Sequence, residues 1–556
     1  MRLRILCCSI AICALAVGAG YAQTKSAPPI PHLEKRGGVT QLIVDGKPFL
    51  MLAGELRNSS SSSLEYMKPI WPKLARMRLN TVLAVVSWET IEPQEGKFDF
   101  ALVDGLLQGA RANKLRVVLL WFGSWKNGIS RYTPPWVKAN QERFPLVQMK
   151  GGKTLEILST LSAANRDADA RAFAALMRHI RQADSAQRTA IMVQLENEVG
   201  VLGDSRDRSP AANEAFAGPV PAELLEHLRK HRDTLLPEFR KVWEAAGSRT
   251  SGTWEGVFGK GLAADEIFMA WNYARYINRV AEAGKAEYRL PMFVNAWIVQ
   301  PEDKGPGDYP SGGPVDHVHD VWRAGAPQID ILAPDIYLPN FPELVARYSR
   351  AANPAFIPES RAGAVGAANA FYAIGQHAAM GYSPFGIEER EDPEKGPIPK
   401  AYAVLAQLAP QILEHQSKGS IAAVWLNKEQ PAQKLQLGNY TLNIELRRTR
   451  RAPGLLPEVG YGIFIATGPD EYIAAGTDVQ VTFSPNTPGP PIAGLASVEE
   501  GTYVNGRWVA GRVLNGDEVQ LRYDLAAAAA ENQSGSGLRF GADGPAIQRV
   551  RLYRYR

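Results

Sequence analysis

Short apolar runs alternate eight times with helical stretches between about residues 40 and 420 of this 556-residue chain. The runs are nearly continuous in apolar residues, which is typical of parallel strands that helices cover. The alternation predicts an α/β fold, a (β/α)8 TIM barrel, with a doubly wound open sheet as the alternative. The eight predicted strands cover residues 49–54, 81–86, 116–121, 191–195, 292–294, 329–333, 355–358 and 383–387.

The hydrophobic pattern of the sequence changes after residue 420. Short alternating runs separated by Gly and Pro predict a C-terminal antiparallel β-sandwich over 421–556, after a catalytic barrel over 40–420. The spacing within the barrel predicts helices over 64–77, 99–113, 168–184 and 401–415. Three segments rich in Gly, Ser, Pro and charge predict loop insertions, at 201–220, 248–263 and 302–314, and the alanine run 526–530 predicts a loop or one helical turn.

The first residues have the pattern of a secretory signal peptide. Arg2 and Arg4 precede an apolar run, and small residues lead to a cleavage site after Ala22. We expect a signal peptide over 1–22, a linker over 23–39, and export to the periplasm or the medium, without membrane attachment after cleavage. The three cysteines, Cys7, Cys8 and Cys13, fall in this peptide, which excludes thiol catalysis in the mature chain.

The formal net charge of +5 is spread along the chain without a basic block. Nucleic-acid-binding proteins concentrate Lys and Arg on one face, so we expect no nucleic-acid partner. His317 and His319 are two residues apart and would point to different faces of a helix, which argues against a metal site. We find no phosphate loop, dinucleotide fingerprint or nucleophile elbow, and we predict no cofactor and no metal.

Carboxylates follow two of the predicted strands. The apolar run 190–195 ends in Glu196, Asn197 and Glu198, and the seventh strand ends in Glu359. Catalytic groups of TIM barrels lie at the carboxyl ends of the strands. Hydrolysis of a glycosidic bond requires two carboxyl groups, so we expect Glu198 to be the proton donor and Glu359 the nucleophile. A second Asn-Glu pair at 213–214 follows no strand and is predicted to be surface.

These segments resemble glycoside hydrolase family 35, the β-galactosidases of the large retaining (β/α)8 clan. The run 194–200, Gln-Leu-Glu-Asn-Glu-Val-Gly, is similar to the family's Gln-x-Glu-Asn-Glu-Tyr-Gly, whose last Glu is the acid/base. The run from Trp88 to Phe100 is similar to its Trp-Asn-x-His-Glu-Pro…Gly-x-Phe-x-Phe, and Glu55 follows Gly54 as in the family. The resemblance implies hydrolysis of terminal β-galactosyl units with retention of configuration.

The chain departs from the family around the sugar. Val199 replaces Tyr, Glu89 and Ile91 replace Asn and His, and Ser124 stands where many members have Glu. The candidate substrate-binding residues are Glu55, Trp88, Glu89, Trp125, Asn197 and Tyr337. Tyr337, after strand six, could hydrogen-bond the nucleophile, and Trp121 and Trp297 are further candidate sugar platforms. We expect Glu196 to orient its neighbours and Glu388 to form a surface salt bridge rather than to contact sugar.

The short chain with one appended β-domain looks like the bacterial branch that trims plant oligosaccharides. The predicted partner is a β-galactoside oligosaccharide or polysaccharide, with xyloglucan fragments as one candidate. The appended domain could bind glycan, shape the rim of the site or form a homodimer. Two other functions stay open: another retaining β-glycosidase or endo-glycanase, and a carbohydrate-binding barrel that has lost catalysis.

Overall fold

The computed structural model describes residues 29–350, 352–390, 392–448, 455–522 and 524–556. The predicted signal peptide and its three cysteines lie outside these residues. The strands up to residue 384 are β1 (His32–Arg36), β2 (Val39–Val44), β3 (Lys47–Pro48), β4 (Met51–Glu55), β5 (Thr81–Ser87), β6 (Arg116–Lys126), β7 (Leu146–Gln148), β8 (Thr154–Leu158), β9 (Ala190–Asn197), β10 (Met292–Trp297), β11 (Ile331–Ile336), β12 (Ile357–Ser360) and β13 (Gly381–Pro384).

Eight of these strands form a closed parallel barrel in the order β4-β5-β6-β9-β10-β11-β12-β13. This confirms the predicted TIM barrel and excludes the open sheet. The helices up to residue 418 are α1 (Leu64–Met67), α2 (Ile70–Arg76), α3 (Trp88–Ile91), α4 (Ala101–Ala112), α5 (Pro135–Lys138), α6 (Ala163–Asp184), α7 (Pro210–Ala217), α8 (Ala222–Lys230), α9 (Pro237–Ala245), α10 (Trp254–Phe258), α11 (Leu262–Glu287), α12 (His319–Gly325), α13 (Phe341–Tyr348), α14 (Gly363–His377), α15 (Ile387–Arg390) and α16 (Pro397–Lys418).

A three-stranded antiparallel sheet, β1 to β3, precedes the barrel. Leu42 and Val44 of β2 belong to the same buried cluster as the interior residues Met51, Val118 and Phe293 of the barrel strands. The hairpin therefore packs against the interior of the barrel with its apolar face. Part of this sheet falls in the segment 23–39 that the sequence predicts as a linker.

The C-terminal part consists of two antiparallel sheets, as predicted. Its elements are β14 (Ile421–Asn427), β15 (Ala432–Leu437), β16 (Tyr440–Leu446), β17 (Val459–Gly468), β18 (Glu471–Thr477), β19 (Val479–Pro485), β20 (Ile492–Val504), β21 (Arg507–Val513), α17 (Leu525–Ala530), β22 (Leu538–Arg539) and β23 (Ala546–Tyr555). The strand orders are β14-β17-β18-β23-β20-β21 and β15-β16-β19-β22. Ile463 and Ile465 pack in one apolar cluster with Phe371 and Ile374 of α14, so the larger sheet is attached to the barrel through a buried contact.

Two predicted elements differ locally. The helix predicted over 64–77 is divided into α1 and α2 because Pro69 has no backbone N–H to donate to the carbonyl of Glu65, and its ring crowds that carbonyl. Ser63, from the predicted serine cap, accepts the backbone N–H of Tyr66. The loops predicted at 201–220 and 248–263 contain the short helices α7 and α10. No helix in the described ranges is long and apolar enough to span a bilayer.

Candidate active site

Strand order and register bring the two candidate catalytic residues to the same end of the barrel. Glu198 directly follows β9, and Glu359 is the third residue of β12. Asp335 of β11 is the register partner of Glu359 and hydrogen-bonds the Glu198 side chain. Neighbouring strands are about 4.8 Å apart, so Asp335 connects the two glutamates over a short distance. The glutamates are 7% and 8% exposed, which leaves each only slightly accessible.

Glu198 has the electrostatics of a proton donor. Burial, followed by the negative charge of Glu359, raises the pKa of Glu198 to about 7, while Lys126 and the hydrogen bond from Asp335 act in the opposite direction. A carboxyl with such a pKa is about half protonated at pH 7, whereas an ordinary glutamate is almost fully ionised there, and a general acid requires this retained proton.

Glu359 is oriented by the tyrosine that the sequence predicts for this role. The Tyr337 hydroxyl donates to Glu359 Oε1 at 2.7 Å. Burial and the charge of Glu359 raise the pKa of Tyr337 far above its ordinary range, so the phenol remains a donor. Glu359 Oε2 is buried without a donor among the described side chains, which makes this oxygen the one available to a reacting carbon.

An amide and an ammonium complete the acid side of the site. Lys126, at the end of β6, is in register with Asn197 and donates from Nζ to Asn197 Oδ1 at 2.9 Å. Asn197 Nδ2 is buried and has no acceptor within the described parts of the chain. Asn295 of β10 accepts the backbone N–H of Glu198 at 3.1 Å. Asn197 therefore retains an amide donor that no described group uses.

Glu55 and Glu388 are two further buried carboxyls beside this centre. The pKa of Glu55 is held well above its ordinary value by burial, and next by the charge of Glu359. Glu388 is 4% exposed and accepts from the backbone N–H of Arg57 and from Ser60 Oγ at 2.9 and 2.7 Å. The prediction that Glu388 forms a surface salt bridge is wrong. Its side chain is buried, and Arg57 forms an ion pair with the neighbouring Glu389 instead.

Two predicted sugar platforms are core residues. Trp88 is fully buried, donates its indole N–H to Glu92 Oε2 at 2.8 Å and packs edge-on against Trp136. Trp125 is fully buried as well and packs edge-on against Tyr273 and Tyr276. Neither ring has an accessible face for a sugar, so the prediction that Trp88 and Trp125 bind substrate is wrong.

The other candidate sugar-binding residues, Trp121, Trp297 and Glu89, differ in how far their side chains are buried. Trp121 is fully buried and donates to Asp169 at 2.9 Å, whereas Trp297 at the end of β10 is partly exposed. Glu89, predicted to contact substrate, forms a solvent-accessible ion pair with Lys138 at 3.3 Å. Trp297 is thus the only one of the four predicted platform tryptophans that has accessible surface.

Glu196 faces away from the cavity, toward helix α6. Its Oε2 accepts the backbone N–H of Trp125 at 2.7 Å, and its carboxyl hydrogen-bonds the carboxyl of Asp169 on α6. Burial, and next the charge of Asp169, holds the pKa of Glu196 well above its ordinary value. Ser124 donates from Oγ to Asp169 Oδ2 at 2.6 Å. Glu196 therefore orients its neighbours, as expected from the sequence.

Three polar residues of the site were not among the predicted ones. Lys126, Asn295 and Asp335 lie at strand ends beside predicted residues, but their types are common at surfaces. Their position at the end of an apolar strand is the signal that could have identified them. His317, in contrast, pairs with Glu266 at 2.8 Å, and no group of three metal-ligating side chains occurs in the described part of the chain.

A closed (β/α)8 barrel with two buried glutamates at the ends of strands four and seven has the architecture of a glycoside hydrolase. Residues 62–257 match the family model described as β-galactosidase, that of glycoside hydrolase family 42. Over these residues the barrel is therefore similar to a glycoside hydrolase domain of β-galactosidase type. The match is to family 42 and does not support family 35 specifically. Residues 398–525 match a domain of unknown function, DUF5597.

The individual proteins that match this chain are distant from it in sequence. A β-galactosidase of Xanthomonas manihotis is 36% identical over 83 residues, which is 14% of this chain and 14% of that protein. The catalytic domain of β-amylase from Paenibacillus polymyxa has 12% identity and a TM-score of 0.43, covering 62% of this chain and 93% of that one. A β-galactosidase from Rahnella sp. R3 has 15% identity and a TM-score of 0.42, covering 66% and 57%.

Proposed function

We propose that this protein is a retaining exo-glycosidase that removes terminal β-D-galactosyl residues. The observation that carries the proposal is the buried arrangement of Glu198 and Glu359, joined through Asp335, with Tyr337 on the nucleophile. Retaining enzymes hold their two carboxyls about 5–5.5 Å apart, closer than inverting enzymes do. Asp335 hydrogen-bonds Glu198 and is the register partner of Glu359 on the next strand, which favours the shorter separation.

In the first step, Glu198 gives its proton to the glycosidic oxygen as the bond to the anomeric carbon breaks. Glu359 attacks that carbon and forms a glycosyl ester. In the second step, water attacks the anomeric carbon, Glu198 takes the proton of the water, and Glu359 leaves as carboxylate. Asn197 Nδ2 would donate to a sugar hydroxyl in both steps, since Lys126 fixes its amide.

The finer assignments are also proposals. The motifs at 194–200 and 88–100, with one appended β-domain, support the bacterial branch of family 35 and plant-type substrates such as xyloglucan fragments. The residues at the amino terminus support export to the periplasm or the medium. A homodimer formed through the C-terminal sheets is a further proposal, which light scattering of the mature protein would test.

The nucleophile and the acid/base can be assigned with azide. Glu359→Gly should lose turnover, and azide should restore it with an α-galactosyl azide as product, because azide then attacks from the face that Glu359 occupied. Glu198→Ala should give the β-galactosyl azide instead, through the normal glycosyl ester. The matched control is Glu214→Gln, in the exposed second Asn-Glu pair, which should keep full activity.

A panel of aryl glycosides tests the sugar. We expect cleavage of the β-galactoside, with the β-anomer of galactose as the first product seen by NMR. Cleavage of β-glucoside or β-mannoside but not of β-galactoside would remove the galactosidase assignment and support another retaining glycosidase. Full activity of the Glu359→Ala variant would refute the mechanism for every sugar.

A further inference from the structure

Asp335 lies between the two catalytic glutamates, and neither step of the proposed reaction uses it. It is in β11, in register with Glu359 of β12, and it is 3% exposed. Its carboxyl hydrogen-bonds the carboxyl of Glu198. An ionised carboxylate has only acceptors, so a hydrogen bond between two carboxyls requires that one of them carries a proton.

The neighbours of Asp335 indicate where that proton resides. Asn295 Nδ2 donates to Asp335 Oδ2 at 2.5 Å, and the same amide accepts the backbone N–H of Glu198 through Oδ1. Asp335 Oδ1 is buried and receives no hydrogen bond from any described donor. An ionised Asp335 would leave this oxygen charged and unpaired, whereas a neutral Asp335 can use its hydroxyl to donate to Glu198.

The charges around Asp335 favour its neutral form. Three carboxyls and one ammonium from four other strand ends face it, together with two phenols. They are Glu359, Glu198, Glu55, Lys126, Tyr337 and Tyr348. Burial, and then the three carboxyls in that order, hold the pKa of Asp335 well above its ordinary range.

Glu55 provides an internal comparison for Glu198. Both carboxyls are buried in the same cluster, and both interact with Lys126 and Glu359. The pKa of Glu55 is raised well above its ordinary value, whereas that of Glu198 is raised only to about 7. Glu198 has a hydrogen bond from Asp335, and Glu55 Oε1 has no donor in the described chain. The charges of Glu198 and Glu388 also raise the pKa of Glu55, and the donor to the ionised form of Glu198 acts in the same direction as this difference.

We propose that Asp335 stays protonated throughout turnover and donates its hydroxyl to the Glu198 carboxylate, so that Glu198 can release and regain a proton near neutral pH. This inference rests on the proposed function, in which Glu198 is the acid/base. Asp335 keeps its own proton in both steps, and the proton that moves belongs to Glu198. Asp335 acts through Glu198 and is therefore a positioning residue.

Two substitutions at Asp335 separate this role from a structural one. Asparagine has the shape of a neutral aspartic acid: its oxygen can accept from Asn295 and its Nδ2 can donate to Glu198. Asp335→Asn should therefore keep the alkaline limb of the kcat/KM profile where the parent has it. Asp335→Ala removes the donor, so the Glu198 carboxylate loses stabilisation and the alkaline limb should move upward by about one to two pH units.

Three results would overturn the inference. A downward shift of the alkaline limb in Asp335→Asn would mean that the parent residue is ionised. An unshifted limb in Asp335→Ala would mean that the hydrogen bond has no effect on Glu198. Equal losses for both variants with unchanged pH profiles would mean a purely structural role, and thermal unfolding of each variant reports whether it has folded.

Infrared spectroscopy tests the proton of Asp335 without turnover. Protonated carboxyls absorb apart from carboxylates, and Asp335→Asn should remove one protonated-carboxyl band from the spectrum at neutral pH. The control Glu214→Gln should remove a carboxylate band only. If the parent protein cleaves no β-galactoside, the proposed function fails, and this spectrum still decides whether Asp335 holds a proton. An unchanged protonated-carboxyl region in Asp335→Asn would refute the inference directly.

Discussion

Replacement of Tyr337 by phenylalanine would test the nucleophile side of the site. The change removes one hydroxyl, which donates to Glu359 Oε1 at 2.7 Å, and retains the ring. The backbone of Tyr337 is held separately, because its carbonyl accepts from Arg361 Nε. Since Glu359 Oε2 has no described donor, the variant leaves the carboxylate without its hydrogen bond and leaves the fold in place.

The magnitude follows from the type of bond that is lost. A hydrogen bond to a charged group contributes about 1.5–3 kcal/mol, and each 1.36 kcal/mol corresponds to a tenfold change in rate. Negative charge returns to Glu359 when the glycosyl ester is hydrolysed, so Tyr337 stabilises that transition state. We therefore expect Tyr337→Phe to slow deglycosylation by up to roughly 10- to 150-fold and glycosylation by less.

Stopped-flow measurements with dinitrophenyl β-galactoside separate the two steps. The variant should release a burst of dinitrophenolate equal to the enzyme concentration, with kcat and KM both lowered, because the glycosyl ester accumulates. Tyr66→Phe is the matched control, since Tyr66 on α1 is 49% exposed, and it should retain parent kinetics. An unchanged kcat without a burst would refute the assigned role of Tyr337.

Three further predictions concern the acid/base, the ammonium and the fold. With a poor leaving group, kcat/KM should fall above about pH 7 as Glu198 loses its proton, and a rate that stays flat into alkaline pH contradicts the assignment. Lys126→Met should move this alkaline limb upward and lower kcat, because Lys126 lowers the pKa of Glu198 and holds Asn197; an unmoved limb excludes that role. In Gly284→Ala, the new Cβ would lie 2.1 Å from Phe173 Cε1, and the overpacking of about 1–3 kcal/mol should lower the thermal midpoint, whereas the control Gly38→Ala meets open space. Equal midpoints for the two variants would contradict the packing of α11 on α6.

The strands and the positions of Glu198 and Glu359 at their ends could be predicted because both depend on local patterns. A buried parallel strand requires a continuous apolar run, and the runs before Glu198 and Glu359 meet that requirement. Carboxylates directly after such runs are costly unless they have a use, so their position alone indicates a site. The hydrogen bond from Tyr337 followed from the same rule applied to strand six.

The tryptophans show that a position at or just after a strand end does not determine whether a side chain is buried or exposed. Trp88 directly follows β5 and Trp297 ends β10, yet the first packs inside the fold and the second retains accessible surface. The difference depends on which partner reaches the indole N–H, and for Trp88 this is Glu92 on the following turn. Side-chain direction at a strand end is set by such partners, and a periodic pattern does not specify them.

The end of strand four shows how partners distant in sequence determine the local conformation. Glu196 and Glu198 have φ values of 59° and 46°, in the left-handed region that glutamate seldom adopts. Such residues cost about 1–3 kcal/mol each and persist only where the surroundings hold them. Asp169 on α6 and the backbone of Trp125 hold Glu196 on one side, and Asn295 on β10 holds the Glu198 backbone on the other. The intervening Asn197 and the side chain of Glu198 are thereby turned toward the cavity. The run Glu196-Asn197-Glu198 marks the site in the sequence, but its geometry is created by three elements that are joined only in the folded barrel.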